Sequence, residues 1–304
     1  HIVRLWVSGK IWKDVAVFSL DAVNGFNSIS RDMIAQVLKN SSILQSSELA
    51  ALFDGRYSMS TPLLFGVEED GSWRLLDIRS VEGTTQGGAA SGVFFALGYA
   101  PACLATIRIM DEVYDCSFGK DYCIVADCDD VYIGGDSQAA ARATEVFHAM
   151  MWVMCGIRSN TKKEVAFRPS PDDSSDEDSE MLVHIMKETR DRMSDIFQFS
   201  DADNVYNGDD GVFPQFQEDG IMVAKAPVGK KEFMERCARE FFEKFASKCE
   251  PLVEFNKRCP QEAYSILRQA TAQRAVYMAR VLPPDVLLKV ADELDGVLLA
   301  HFCQ

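Results

Sequence analysis

The sequence predicts an α+β fold: an antiparallel sheet with packed helices over residues 1–170, then a mostly helical region over 221–304. Three observations predict it. Two short apolar, β-rich runs, YCIVA (122–126) and VYIGG (131–135), are separated only by residues 127–130, the pattern of a tight hairpin. A third run, DVAVFSL (14–20), ends on Asp21 and suits a buried strand. Far downstream, Phe233, Cys237, Phe241, Phe245 and Cys249 recur every four residues, as on a helix that buries one stripe. Strands first and helices last is the order of an α+β chain.

The remaining elements follow from local signals. Ser30 followed by Asp32 marks a helix start, with Met33, Ile34, Val37 and Leu38 at helical spacing. A second helix is expected over Ile43–Phe53, and the alternating stretch Tyr57–Ser80, with EEDGS at its centre, reads as a hairpin. Small and large apolar residues mix from Ala89 to Leu97, a helix that packs closely behind the Gly-rich GTTQGG. Ala139–Cys155 reads as a helix stopped by Gly156, and GGDS (134–137) as a turn and helix cap, since it lacks the Lys-Ser/Thr of a phosphate loop. IMVAKAPVG (221–229) is a short strand and turn, and two final helices are expected over Glu262–Leu282 and Pro284–His301.

Hydrophobic content of 47% and charged content of 25% are those of a soluble globular chain, and no apolar run is expected to reach the length that spans a bilayer. The N-terminus, HIVRLWVSGK, lacks a signal-peptide pattern, and it begins without Met, as a fragment does. The nine cysteines show no CxxC or Cys/His ligand spacing, so reduced thiols and an intracellular location, nuclear or cytoplasmic, are expected, with no membrane partner. A net charge of −15 opposes binding to phosphates, but the charge is segregated. PDDSSDEDSE (171–180) concentrates acids in what reads as a flexible linker over 171–220, whereas 256–281 carries Lys257, Arg258, Arg268, Arg274 and Arg280 against the single acid Glu262.

Asp129 and Asp130 at a hairpin tip are the feature that asks for a chemical reason. Adjacent carboxylates repel, and a hard divalent cation relieves that repulsion. If the strand ending on Asp21 lies alongside, three carboxylates fit a two-metal site for phosphoryl transfer. A solvated acidic turn is the plain alternative for the pair alone. His148 and His184 have no nucleophile or ligand partner at motif spacing and read as structural.

LDAVNGFNSISR (20–31), EGTTQGGAASGVFFAL (82–97), VADCDDVYIGG (125–135) and CGIRSNTKKEVAF (155–167) resemble four successive reverse-transcriptase motifs in order, closest in flavour to the non-LTR retrotransposon type. IMVAKAPVGKKEF (221–233) is similar to the strand–turn that precedes the thumb of such enzymes. The resemblance implies a polymerase-like palm with partial fingers over 1–170 and a thumb-like region over 221–304. It implies an RNA-directed DNA polymerase that uses two Mg²⁺ ions to add deoxynucleotides to a primer 3′-hydroxyl on an RNA template.

By the same resemblance Asp21, Asp129 and Asp130 are the metal-binding carboxylates, with the carbonyl of Ala22 beside them. Phe26 is the ring that excludes a ribose 2′-hydroxyl; Gln86 and Gly87 lie against template and nucleotide; Lys163, or Lys162 in its stead, protonates the leaving pyrophosphate. An RNA-dependent RNA polymerase shares the paired-aspartate turn, and Phe26 separates the two readings. The chain departs from the family in three places. Asp127 stands where an aromatic is usual, Gly88 stands where Asp usually follows Gln-Gly, and about twenty residues precede the first motif. Those departures define the alternative reading, a catalytically inactive retroelement remnant or a domesticated nucleic-acid-binding module.

Overall fold

The computed structural model describes residues 2–8, 11–45, 47–69, 72–85, 87–127, 129–169, 176–200, 205–206, 212–266, 268–269 and 272–302. In chain order the elements are α1 (Ile2–Val7), β1 (Val15–Leu20), α2 (Gly25–Ser28), α3 (Arg31–Asn40), α4 (Glu48–Tyr57), β2 (Thr61–Glu69), β3 (Ser72–Ser80) and α5 (Ser91–Tyr114). There follow β4 (Tyr122–Asp127), β5 (Asp130–Asp136), α6 (Ser137–Cys155), β6 (Val165–Phe167), α7 (Asp176–Phe197), β7 (Gln215–Gln217), β8 (Gly220–Val223) and β9 (Ala226–Gly229). The C-terminal region is α8 (Lys231–Arg258), α9 (Pro260–Ile266), α10 (Ala272–Val281) and α11 (Pro284–Phe302). The fold is mixed α and β, and it divides into two compact units, one of residues 16–165 and 174–215, the other of 1–15, 166–173 and 216–304.

In the larger unit β4, β5 and β1 lie side by side in that order, and β4 pairs antiparallel with β5 from Tyr122↔Gly135 to Asp127↔Asp130. Val131 to Gly135 are buried on both faces of β5, which is therefore a central strand. Behind it α6 is buried on nearly every side, because α5 and α7 both pack against it. Phe18, Phe94, Phe95, Ile133 and Phe147 are all at most 1% exposed, and each such side chain contributes about 1.5–3 kcal/mol by leaving water. Helix ends follow the local chemistry: the Ser30 hydroxyl accepts from Met33 N, Asp136 caps α6 at Gln138 N and Ala139 N, and Gly156 ends it at φ 69°.

Several expectations need correction. The helix expected over 43–53 begins later, at Glu48, where Ser47 accepts from Ala50 N. The helix seen as starting at Ala89 runs on to Tyr114 through Pro101, and its small and apolar residues make it long and apolar enough to cross a membrane, at a mean hydropathy of 1.6. Here it buries Phe94, Phe95, Gly98, Tyr99, Ala102, Thr106 and Met110 along one stripe. The region 171–220, expected as a flexible linker, contains the 22-residue α7. Leu182, Ile185, Met186, Thr189 and Met193 recur at helical spacing and are buried, while the acids before them lie at the helix N-terminus, where the macrodipole favours negative charge.

In the smaller unit β6 neighbours β7, and β8 and β9 form a hairpin whose turn residues Ala224 and Lys225 both take positive φ. The core joins α8 to α10 and α11 through Ala238, Phe242, Met278, Leu282, Val286 and Val290. An every-four row drifts by about 40° per step on a 3.6-residue helix, so the buried stripe shifts from the Phe241 expected to Phe242. The helix expected over 262–282 is two elements, α9 and α10.

Candidate active site

Asp21 is the first residue after β1. Residues 21–23 run alongside 158–160: Asn160 N donates to the Asp21 carbonyl at 2.9 Å, Val23 N to the Arg158 carbonyl at 2.9 Å, and Ala22 bridges Ser159 in antiparallel sense. This pairing sets the Asn160 side chain on the Asp21 carboxylate, with Nδ2 donating to Oδ2 at 2.8 Å. Lys163 Nζ stands 3.6 Å from the same oxygen; the Lys163 side chain is 70% exposed and that of Asp21 35%. At that exposure the ion pair contributes less than about 1 kcal/mol. The asparagine bond, made to a charged acceptor, contributes about 1.5–3 kcal/mol. Asn160 is therefore the firmer hold on Asp21. It was not a sequence-level candidate, because its partner lies 139 residues away.

The second half of the site is the β4–β5 turn. The closing pair Asp127↔Asp130 leaves a connection of only Cys128 and Asp129, so Asp127, Asp129 and Asp130 are crowded at one tip, and all three are exposed to solvent. Because β5 and β1 are neighbours in the sheet, the acidic tip and Asp21 belong to adjacent strands. The charge of Asp129 is felt in the interior. The buried Tyr99 phenol is pushed well above its ordinary pKa by burial, and further by Cys155, Cys103, Glu164 and Asp129.

Phe26 sits in the single turn α2, half-buried, its ring stacked on Phe95 at 4.6 Å and 25°. The segment before Gln86 is docked on the backbone of that turn. Thr84 N donates to the Phe26 carbonyl at 2.6 Å and Gly83 N to the Ile29 carbonyl at 2.9 Å. A Cβ on Gly83 would lie 2.3 Å from the Asn27 carbonyl oxygen, and its φ is +75°, so only glycine permits this approach. Arg31 ties the segment down by donating to the Gly83 carbonyl at 2.8 Å and the Ser80 carbonyl at 3.0 Å. Gly87 is exposed with φ +82° and open space where a Cβ would go, so its need for glycine is conformational. Gln86 lies outside the described residues.

The carboxylates are all-oxygen donors of the type that a hard divalent cation prefers. Among the described residues, however, no group of three or more Asp, Glu, His or Cys is arranged to hold a metal ion. Asp21, Asp129 and Asp130 are brought to adjacent strands, but not gathered into a ligand set.

No family model matches the chain, and no curated protein sequence does. Solved structures similar to it include three of telomerase. Apo telomerase from Candida tropicalis, truncated from the C-terminal domain, is 12% identical with a TM-score of 0.36, over 57% of this chain and 34% of that one. Telomerase from Candida tropicalis in complex with the TWJ fragment of telomeric RNA is 10% identical with a TM-score of 0.39, over 57% of this chain and 29% of that one. The corresponding complex from Candida albicans is 12% identical with a TM-score of 0.39, over 57% and 30%. The chain spans about a third of the length of each of these structures.

Proposed function

We propose that this chain carries the catalytic palm of an RNA-directed DNA polymerase of the non-LTR retrotransposon type, adding deoxynucleotides to a DNA primer on an RNA template. The observation that supports it is the placement of Asp21 and the Asp129–Asp130 turn on neighbouring strands β1 and β5, in segments that also carry the reverse-transcriptase-like motifs. Asp21, Asp129 and Asp130 carry the donor type that would hold Mg²⁺ once the three are drawn together, and the ions would then supply activation of the primer hydroxyl and neutralisation of phosphate charge. The protein's own part is steric and protic. Phe26, braced by Phe95, closes the space that a ribose 2′-hydroxyl needs. Lys163, exposed to solvent and 3.6 Å from Asp21, donates a proton to the departing pyrophosphate.

A second reading, a palm fold kept for nucleic-acid binding without turnover, is favoured by one observation: Asp21 is engaged by Asn160 and Lys163. Primer extension on an RNA template with Mg²⁺ separates the two. The polymerase reading expects deoxynucleotide incorporation that Asp130→Asn lowers at least about 10²-fold, the scale of losing one preorganised charge contact. Incorporation of ribonucleotides in preference to deoxynucleotides would contradict it. No incorporation by this chain or by a version extended upstream would leave the binding reading.

A further inference from the structure

Behind the loop that carries Asn160 and Lys163 lies a buried charge network that the exposed site does not use. Glu145 and His148 on α6, Glu164 and Ser159 on the loop, and Arg190 on α7 are each at most 6% exposed, and Tyr206 is 7% exposed. Arg190 grips Glu145 with Nε to Oε2 at 3.0 Å and Nη2 to Oε1 at 3.2 Å, and Tyr206 donates to Glu145 Oε2 at 2.8 Å. His148 Nε2 stands 3.0 Å from Glu164 Oε1 and its Nδ1 stands 3.8 Å from Glu145 Oε1, though neither ring nitrogen is aligned as a hydrogen-bond donor. Ser159 Oγ donates to Glu164 Oε1 at 2.5 Å.

Burying this many charges is unfavourable against an apolar core of the same volume, so stability alone does not account for it. What the network touches is informative. Ser159 and Glu164 bracket Asn160 and Lys163 on one short loop, and Ser159 is also the residue that bridges Ala22. Ser159 N further donates to the Val205 carbonyl at 3.1 Å, so the loop is fixed from two sides.

We infer that this network is a positioning device for Asp21: His148, seated between Glu145 and Glu164, fixes the 159–164 loop from behind and so keeps Asn160 Nδ2 on the Asp21 carboxylate. His148 is a positioning residue, and the inference rests on the reading of Asp21 as a working carboxylate. The electrostatics agree with the geometry. Burial favours the neutral ring, but Glu164 and Glu145 outweigh it and raise the His148 pKa to about 9.

The test is side-chain amide NMR of asparagine-labelled full chain, with the Asn160 signals assigned by their loss in Asn160→Asp. His148→Leu, His148→Gln and Ser159→Ala are compared with the unsubstituted chain, their folding checked by circular dichroism. The unsubstituted chain and His148→Gln, whose amide can donate to Glu164, are expected to show Asn160 protons in slow exchange. His148→Leu and Ser159→Ala are expected to exchange about tenfold faster or more, as a hydrogen bond to a charged group implies. Ser159→Ala removes one hydroxyl and keeps the result decisive should His148→Leu not fold. A folded His148→Leu or Ser159→Ala protein with unchanged Asn160 signals would overturn the inference. Because nothing here depends on turnover, absence of primer extension would fall on the polymerase reading and not on this one.

Discussion

Asp21 and the Asp129–Asp130 turn stand on neighbouring strands but in opposite surroundings. Asp21 is held: a side-chain amide, a backbone pairing and a lysine converge on it, and the loop supplying them carries the buried Ser159 and Glu164, the latter beside the buried His148. The acids of the turn are open to solvent on a two-residue connection. The difference teaches where this fold places rigidity. One carboxylate is bonded to the Asn160 loop in advance, and the other two are exposed at a strand tip, where a ligand can reach them.

The largest effect should come from breaking the interior. Arg190→Met leaves Glu145 buried without its guanidinium and is expected to lower the unfolding free energy by about 3–5 kcal/mol in urea titration. The paired change Glu145→Leu with Arg190→Met should recover most of that loss. A single substitution that costs less than about 1 kcal/mol would remove the contrast between the two regions.

Next comes pH. His148 stands against Glu145, Glu164 and the Tyr206 ring. Its folded pKa, about 9, lies above its ordinary 6.5 because the two glutamates overcome the burial that opposes its charge. Its contribution is therefore complete below pH 6.5 and is lost as pH rises through 9. Glu145 is the reverse. Burial raises its pKa, but Arg190 first and then His148 bring it down to about 2 from an ordinary 4.5. Its contribution is present above pH 4.5 and is lost as pH falls toward 2. Stability measured by urea unfolding should thus be greatest between pH 4.5 and 6.5 and fall on both sides. His148→Gln should flatten the alkaline fall, and an unchanged alkaline limb would contradict the assignment.

The smallest effects belong to the surface. Asn160→Ala should cost about 1.5–3 kcal/mol, and Lys163→Met less than about 1 kcal/mol, because the first bond is partly sheltered and the second pair is solvated. Equal costs would mean that Asp21 is held by charge and not by the loop.

What was readable in the sequence was local. The β4–β5 hairpin, the Ser30 and Asp136 caps and the Gly156 stop each depend on residues within a few positions of one another. Where composition and periodicity disagreed, composition misled: the acids of 172–180 hid the apolar stripe of α7 that follows them. The two aspartate segments were legible as well, since each ends or opens a strand. Their support was not. Glu145, Glu164 and Arg190 are residue types that normally face water, and nothing in their spacing announces that three separate segments bury them together. Asn160 and Arg31 act through partners 139 and 52 residues away.

The central claim is that the held carboxylate and the open pair work as one site. Mn²⁺ binding followed by electron paramagnetic resonance tests it directly, because the spectrum counts bound ions without requiring turnover. Asp21→Asn and Asp129→Asn should each weaken the same binding event, and the double variant should do little more than either alone. Two independent losses that add, or binding untouched by Asp21→Asn, would contradict it.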